Sequence, residues 1–157
     1  MNTASKLSLA LLALTLVGTS VAQAQSANIS ATATVLTPLT LTGTASLAFG
    51  NVFPGINKTV AAADAASGRF TVAGNPGSQV SMTFALPTDL TGPGTLPIGT
   101  WTGDHNNTNT TGGTLFTPSA AATLATLDAG TGNRFLFIGA TVSPTVAQAA
   151  GEIGRAH

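Results

Sequence analysis

Cysteine is absent from this sequence, so no disulfide bond can stabilise its fold. Side-chain packing and strand pairing must hold the chain together. Charge is also scarce: charged residues make up 6% of the chain, and five Lys and Arg balance five Asp and Glu. Nucleic-acid binding needs clustered Lys and Arg to neutralise phosphates, so nucleic acid is excluded as a partner.

Aromatic residues are equally few, at 5% of the chain. Low charge together with few aromatics can accompany disorder, but disordered chains are also poor in aliphatic and β-branched residues. This sequence is rich in Thr, Val and Leu, which favour the pleated surface of a β-sheet. The composition therefore predicts a folded β-protein.

The first 24 residues have the pattern of a secretory signal peptide. A short start with one cation, Lys6, precedes an apolar run over residues 7–22, and Ala22 and Ala24 form an A-x-A cleavage site. A membrane anchor is the alternative, but the run contains Ser, Thr and Gly and is shorter than the roughly 20 apolar residues that a span requires. We expect cleavage after Ala24, export, and no membrane association afterwards.

A strict alternation follows near the start of the mature chain. The apolar side chains of this segment, 28–35, share one face of an extended strand, and Ser and Thr share the other. The apolar set is Ile29, Ala31, Ala33 and Val35. These residues predict either the first strand of the protein's own sheet or a strand donated to another copy.

Further alternation predicts several short strands. They are expected at residues 39–42, 47–50, 69–72, 80–86 and 134–142, the last as a central strand covered on both faces. No stretch has a convincing helical stripe. The Ala-rich residues 60–66 are interpreted as a strand with its loop, and 119–127 as a short helix or strand. Gly and Pro turns between short strands favour an all-β, immunoglobulin-like antiparallel β-sandwich formed by residues 25–151.

The long polar span over residues 88–132 offers few catalytic or metal-binding groups. His105 lies beside Asp104 within residues 102–113, which are predicted to be an exposed loop or a floppy hairpin, and two adjacent residues do not make a triad. Asp104, Asn106 and Thr108 have the spacing of a calcium loop, but the Gly and carboxylate that should follow are missing. We therefore expect no enzyme activity, no metal and no cofactor.

Trp101 has two interpretations. A single indole beside a polar loop can stack on a sugar ring, and a Trp can equally fill a core made of small side chains. The first interpretation places a ligand face at Trp101, Asp104 and Asn106 and predicts a secreted carbohydrate- or matrix-binding module that does not polymerise. The second, which is favoured, makes Trp101 part of the core.

Four segments in order carry a resemblance to a known family. They are ATATVLTPLTLT near the mature start, LAFGNVFPG (47–55), GRFTVAGNPGSQVSMTF (68–84) and FIGATVSPTVAQAAG (137–151). Their order and spacing resemble the bacterial secreted family called domain of unknown function 4402, which is similar to the spore coat protein U and fimbrial-subunit group.

The resemblance implies a structural or adhesive surface protein of a Gram-negative bacterium. It would be located in the periplasm or at the cell surface and would assemble with like subunits by β-strand addition, helped by a periplasmic chaperone and an usher. Proteins of this kind continue after QAAG with a closing strand, whereas residues 152–157 here read EIGRAH, the product of one frame of a common sequencing adapter. The resemblance therefore predicts that 152–157 is a non-native tail and that the C-terminal strand of the sandwich is missing.

Overall fold

A computed structural model describes residues 30–151 of the chain. The predicted signal peptide, including Ala22 and Ala24, and the predicted tail at 152–157 lie outside the described residues, as does Ile29. The described part is all-β and contains these strands: β1 (Thr40–Ala45), β2 (Lys58–Val60), β3 (Gly68–Ala73), β4 (Gln79–Met82), β5 (Asp89–Thr91), β6 (Thr95–Asn106), β7 (Thr114–Phe116), β8 (Thr123–Thr126) and β9 (Asn133–Val142).

Seven of these strands form one antiparallel sheet around β9. Its main order is β1-β3-β9-β6-β5, with β2 also pairing with β9 and β7 also pairing with β6. β2 and β3 lie end to end along the same edge of β9, since Val60 is opposite Ala140 and Gly68 is opposite Ile138. The prediction of a central strand over 134–142 is confirmed: residues 136–140 are buried without interruption.

β4 and β8 form a second, two-stranded sheet that packs on the large one. Val80 and Met82 of β4 and Ala125 of β8 point inward, and Leu127 follows β8 into the same core. They contact Val72 of β3 and Leu136 of β9. The predicted alternation of β4 is therefore correct for Val80 and Met82, and the all-β, sandwich-like fold class is confirmed.

A second buried cluster lies at the other end of the large sheet. It contains Leu96 and Ile98 of β6 with Ala140 and Val142 of β9. No strand covers this cluster among the described residues. Its cover consists of partly buried side chains from the loop after β1 and from two strands of the large sheet itself: Leu47, Phe49 and Val52 of the loop, Leu90 of β5 and Trp101 of β6.

Three sequence predictions differ from the structure. Residues 47–50 form no strand, because Leu47 and Phe49 pack as part of this loop cover rather than pairing. The strand predicted at 80–86 ends at Met82. The span 88–132 holds β5, β6, β7 and β8, and the 12-residue β6 is the longest of the nine strands.

The alternating segment 28–35 also differs from the intramolecular prediction over its described residues. Residues 30–34 belong to the first of two units of the chain; they are exposed and lie in no strand. The second unit begins at Val35, and residues 35–39 are likewise exposed and outside any strand, with Val35 95% exposed. The apolar side chains of Ala31, Ala33 and Val35 therefore have no ladder partner within the described residues.

Candidate functional site

The free edge of β4 is one open side of the small sheet. β4 pairs only with β8 in the part of the chain that the structure describes. The N–H of Leu127 donates to the carbonyl of Ser78 at 2.9 Å, and these residues continue the β4–β8 register. Because hydrogen-bonded pairs alternate along an antiparallel ladder, Val80 and Met82 bond to β8, while Ser81 and Thr83 direct their backbone groups toward the free edge.

This edge borders an apolar groove of about 360 Å³. One wall is formed by β4 and the residues after it, including Val80, Met82 and Phe84, and Phe70 lies between the two sheets. The opposite wall is Leu39 and Leu41, which are 62% and 68% exposed. Two large apolar side chains thus stand uncovered beside unpaired backbone groups, and such an edge is a template for an added strand.

A larger groove of about 1300 Å³ continues past Phe70, which lines both spaces. Its floor includes Leu96, Ile98 and Ile138 of the large sheet, and segment 43–54 forms one side. Among the described residues, no side chain of Lys, Arg, Asp or Glu lines either groove. The described lining of the two grooves is therefore uncharged.

Trp101 lines the larger groove and is half-buried against the second core cluster. It lies in a bulge of β6, where the pairing with β9 shifts between Gly99 and Thr102. Within this bulge Thr100 has a φ of 48°, a left-handed conformation that β-branched residues rarely adopt. The packing agrees with the core interpretation of Trp101, although its partial exposure leaves the ring accessible from the groove.

Asp104 has a structural role that sequence reasoning missed. Its side chain is 1% exposed, and its carboxylate accepts hydrogen bonds from the N–H groups of Gly112 at 2.6 Å and Gly113 at 3.0 Å. It therefore closes the loop between β6 and β7. A carboxylate committed to two loop amides is not presented to a ligand, so Asp104 drops out of the predicted ligand face.

Asn106 is also used within that loop. Its side-chain oxygen accepts from the N–H of Thr108 at 3.0 Å, and its amide nitrogen donates to the carbonyl of Thr110. The predicted ligand face is thus divided: Trp101 belongs to a core cluster and a groove, whereas Asp104 and Asn106 stabilise a hairpin. Residues 102–106 are part of β6, and only the remainder of the predicted loop or hairpin connects β6 to β7.

His105 does not lie in an exposed loop, one of the two predictions for residues 102–113. His105 lies in β6, is 4% exposed, and packs against the ring of Phe116 with centroids 5.4 Å apart. Its Nδ1 accepts a hydrogen bond from Arg134 Nε at 3.1 Å and also contacts Arg134 Nη2. Burial lowers the pKa of His105, and the charge of Arg134 lowers it further, while Asp104 opposes the shift.

Arg134 connects three segments through its guanidinium. Besides His105 it donates to Asn107 Oδ1 at 2.6 Å and to the carbonyl of Thr126 at 3.1 Å. It therefore ties β8 of the small sheet to β6 and to the β6–β7 loop. The sequence signal for this role is a lone cation at the start of an apolar strand, but the sequence does not identify its partners.

Between residues 30 and 151, no three His, Asp or Glu side chains come together in a way that would hold a metal ion. No helix in that range has the length and hydrophobicity to cross a membrane. Comparison with known proteins finds no matching family model, no matching curated protein and no matching solved structure.

Proposed function

We propose that this protein is an exported structural or adhesive subunit that assembles by adding a β-strand of one copy to the sheet of another. The proposed location is the periplasm or the cell surface of a Gram-negative bacterium. The observation that supports this proposal is that the same chain has both an open side of the sandwich, uncharged in its described lining, and an alternating segment whose described residues lie in no strand. Strand addition uses these two components, an exposed sheet edge and an extended peptide.

The chemistry of the chain supports a mechanical role. Its exposed large apolar residues include Leu41 on β1 and Val35 and Leu39 in the segment before β1. Burying a Val or Leu side chain contributes about 1.5–3 kcal/mol, so covering such residues can stabilise an assembly. Backbone hydrogen bonds to the unpaired edge would add strength and fix the register of the added strand.

An open apolar groove would also have to be covered until assembly. A subunit with such a groove would aggregate if it were left uncovered, because unpaired edges and apolar surface recruit other chains. We propose two partners for this step. A periplasmic chaperone would cover the groove, and an outer-membrane usher would replace the chaperone with the next subunit. The resemblance to the fimbrial-subunit group supports the same partners.

Charge placed on the apolar face of segment 29–35 tests the proposal. Ile29→Asp with Val35→Asp should abolish assembly, since two carboxylates would have to enter an apolar groove. The matched control is Ser30→Asp with Thr34→Asp, which places the same charge on the polar face and should preserve assembly. Size-exclusion chromatography and electron microscopy report polymers, and circular dichroism reports folding.

Deletion of residues 25–35 separates donation from an intramolecular strand. Donation predicts a folded monomer that no longer polymerises. Loss of folding would instead identify the segment as the first strand of the protein's own sheet and would contradict the proposal. Polymers that persist after the deletion would contradict it as well.

A second candidate is a secreted carbohydrate- or matrix-binding module, favoured by one observation. The ring of Trp101 lines the larger groove and is partly exposed, as a sugar-stacking indole must be. Trp101→Ala should then abolish glycan-array binding without loss of the fold. Phe53→Ala is the control, because Phe53 lines the same groove and is 66% exposed.

A further inference from the structure

We infer that the acceptor for the added strand is the free edge of β4, and that its occupant is segment 29–35 of a second copy. This inference rests on the proposed function and specifies which edge of which sheet accepts the strand. Six strands pair on one side only within the described residues: β1, β2, β4, β5, β7 and β8. The strands β2, β5 and β7 have three residues each, too few for a seven-residue donor, so the free edge of β4 competes with the outer edges of β8 and β1.

The outer edge of β8 is already occupied in part. Thr126 is opposite Gln79, and this pair is not one of the hydrogen-bonded pairs of the ladder. The carbonyl of Thr126 therefore points away from β4. Arg134 Nη1 donates to this carbonyl at 3.1 Å. A strand added to β8 would have to displace the guanidinium from that carbonyl, whereas nothing comparable blocks Ser81 and Thr83 on β4.

The outer edge of β1 offers little for apolar side chains to contact. Every residue of β1 is exposed, and an added strand there would extend the large sheet beyond the area that the small sheet covers. The free edge of β4, in contrast, opens on the groove between Val80, Met82 and Leu41. A strand with one apolar face gains burial only where a second layer faces it.

The side-chain pattern of the donor matches the β4 edge. In the small sheet Val80 and Met82 face inward and Ser81 faces solvent. A strand beside β4 would follow the same pleat, so that Ile29 and Val35 enter the groove while Ser30, Thr32 and Thr34 face solvent next to Ser81. The donor segment has no charged side chain, and neither do the described residues that line the groove, so this arrangement would bury no charge from either.

The donor segment is also long enough to fill the groove. Seven extended residues, 29–35, span roughly 23 Å at about 3.3 Å per residue. Residues 80–84, from β4 and the segment after it, line the groove over roughly 17 Å at the same rise, which is most of that length. Residues 30–35 are exposed and belong to no strand, so they are available to a second copy.

Disulfide trapping tests the location, because the chain has no cysteine and every introduced thiol is unique. One sample of the full chain carries Thr32→Cys or, to allow for register, Thr34→Cys. The other carries Ser81→Cys on the solvent face of β4. The reference variants carry Leu124→Cys on β8 or Thr42→Cys on β1, all of these being exposed positions. The two samples are mixed, allowed to assemble and oxidised.

We expect the cross-linked product to form with Ser81→Cys and to be lost with Leu124→Cys and Thr42→Cys. Leu124 is directly opposite Ser81, so a strand on the free edge of β4 lies two strand spacings from it, roughly 10 Å and beyond the reach of a disulfide. Cross-linking to Leu124→Cys or Thr42→Cys instead would overturn the choice of edge.

Two further outcomes separate this inference from the proposed function. Assembly that persists without any cross-link to Ser81→Cys overturns the acceptor edge but leaves strand addition standing. A chain carrying both Thr32→Cys and Ser81→Cys that closes on itself in dilute solution overturns the choice of a second copy. Absence of any assembly by the unmodified chain overturns the proposed function and the inference with it.

Discussion

The apolar face of the large sheet is buried equally well at its two ends but by different means. At one end Val72 and Leu136 pack under Val80 and Leu127. Val80 lies on β4 and Leu127 directly follows β8, and these two strands pair with each other. At the other end Ala140 and Val142 are both 0% exposed, yet they are covered by half-buried side chains of the loop after β1 together with Leu90 of β5 and Trp101 in the β6 bulge. One half is closed by a second hydrogen-bonded sheet, and the other is covered in large part by a loop.

The difference indicates where this fold can open. Moving β4 and β8 away from the large sheet would break backbone hydrogen bonds together with apolar contacts. Moving the loop after β1 would break mainly apolar contacts that are already partly exposed to solvent. The two grooves lie beside the loop cover and along the free edge of β4. The predictions below change one half at a time.

Truncation in the closed half should have the largest effect. Leu127 is 1% exposed, so Leu127→Ala removes a large buried side chain and should lower the free energy of unfolding by about 2–5 kcal/mol. Phe49→Ala in the open half should cost clearly less, because Phe49 is half-buried and its site can collapse. Urea unfolding followed by circular dichroism measures both values. Equal costs would show that the two covers are equivalent.

Gly139 lies where β2 approaches β9, and a Cβ there would meet the carbonyl oxygen of Val60 at 2.3 Å. Gly139→Ala should therefore lower the free energy of unfolding by about 1–3 kcal/mol, since backbone rather than a flexible side chain must shift. Gly99→Ala is the matched control, because nothing lies within 4 Å of its added Cβ. A cost for Gly99→Ala as large as that for Gly139→Ala would contradict this account of the packing.

Acid should weaken the connection that holds β8 to the large sheet. The pKa of His105 is lowered in the folded protein by burial and by Arg134, so the unfolded chain binds the proton more readily. The stabilisation is complete above about pH 6.5, the ordinary value, and is lost as pH falls from there through the lowered pKa. The slope cannot exceed about 1.4 kcal/mol per pH unit for one proton.

Thermal melts between pH 7.5 and 5 measure this dependence. His105→Gln should flatten the pH profile in that range, and His157→Gln, which changes the other histidine, should leave it unchanged. An unaltered profile for His105→Gln would show that the contact between His105 and Arg134 does not govern the stability of the small sheet.

The smallest effect on the monomer is expected at the open edge. Leu41 is 68% exposed, so Leu41→Ala should change the free energy of unfolding by no more than about 0.5 kcal/mol. If Leu41 lines the acceptor groove, the same substitution should weaken assembly. Urea unfolding of the monomer and sedimentation of the assembly give the two values, and a large loss of monomer stability would show that Leu41 is already covered.

Alternation in the sequence predicts the strands that have a single clean pattern. β3 and β9 lie where Arg69–Val72 and residues 134–142 predict them, and β4 begins where its apolar side chains begin to alternate. β6 could not be predicted in this way, because Pro97, Gly99 and Gly103 interrupt its pattern. Its pairing with β9 on one side and with β5 and β7 on the other overrides local preference.

The candidate site was less accessible to sequence reasoning. Residues 47–50 and 30–35 alternate as well as β3 does, yet neither forms a strand, since pairing depends on a partner that the pattern does not specify. Asp104 contacts Gly112 and Gly113, eight and nine residues further on, and His105 contacts Arg134, 29 residues further on. Nothing in the local polar sequence indicates such contacts.

Hydrogen exchange of single amides in β4, measured by NMR on the monomer and on the assembly, tests the open edge most directly. In the monomer the amides of Val80 and Met82 should exchange slowly and those of Ser81 and Thr83 rapidly, because only the first two bond to β8. In the assembly Ser81 and Thr83 should become protected as well. Protection of Ser81 equal to that of Val80 in the monomer would contradict an open β4 edge.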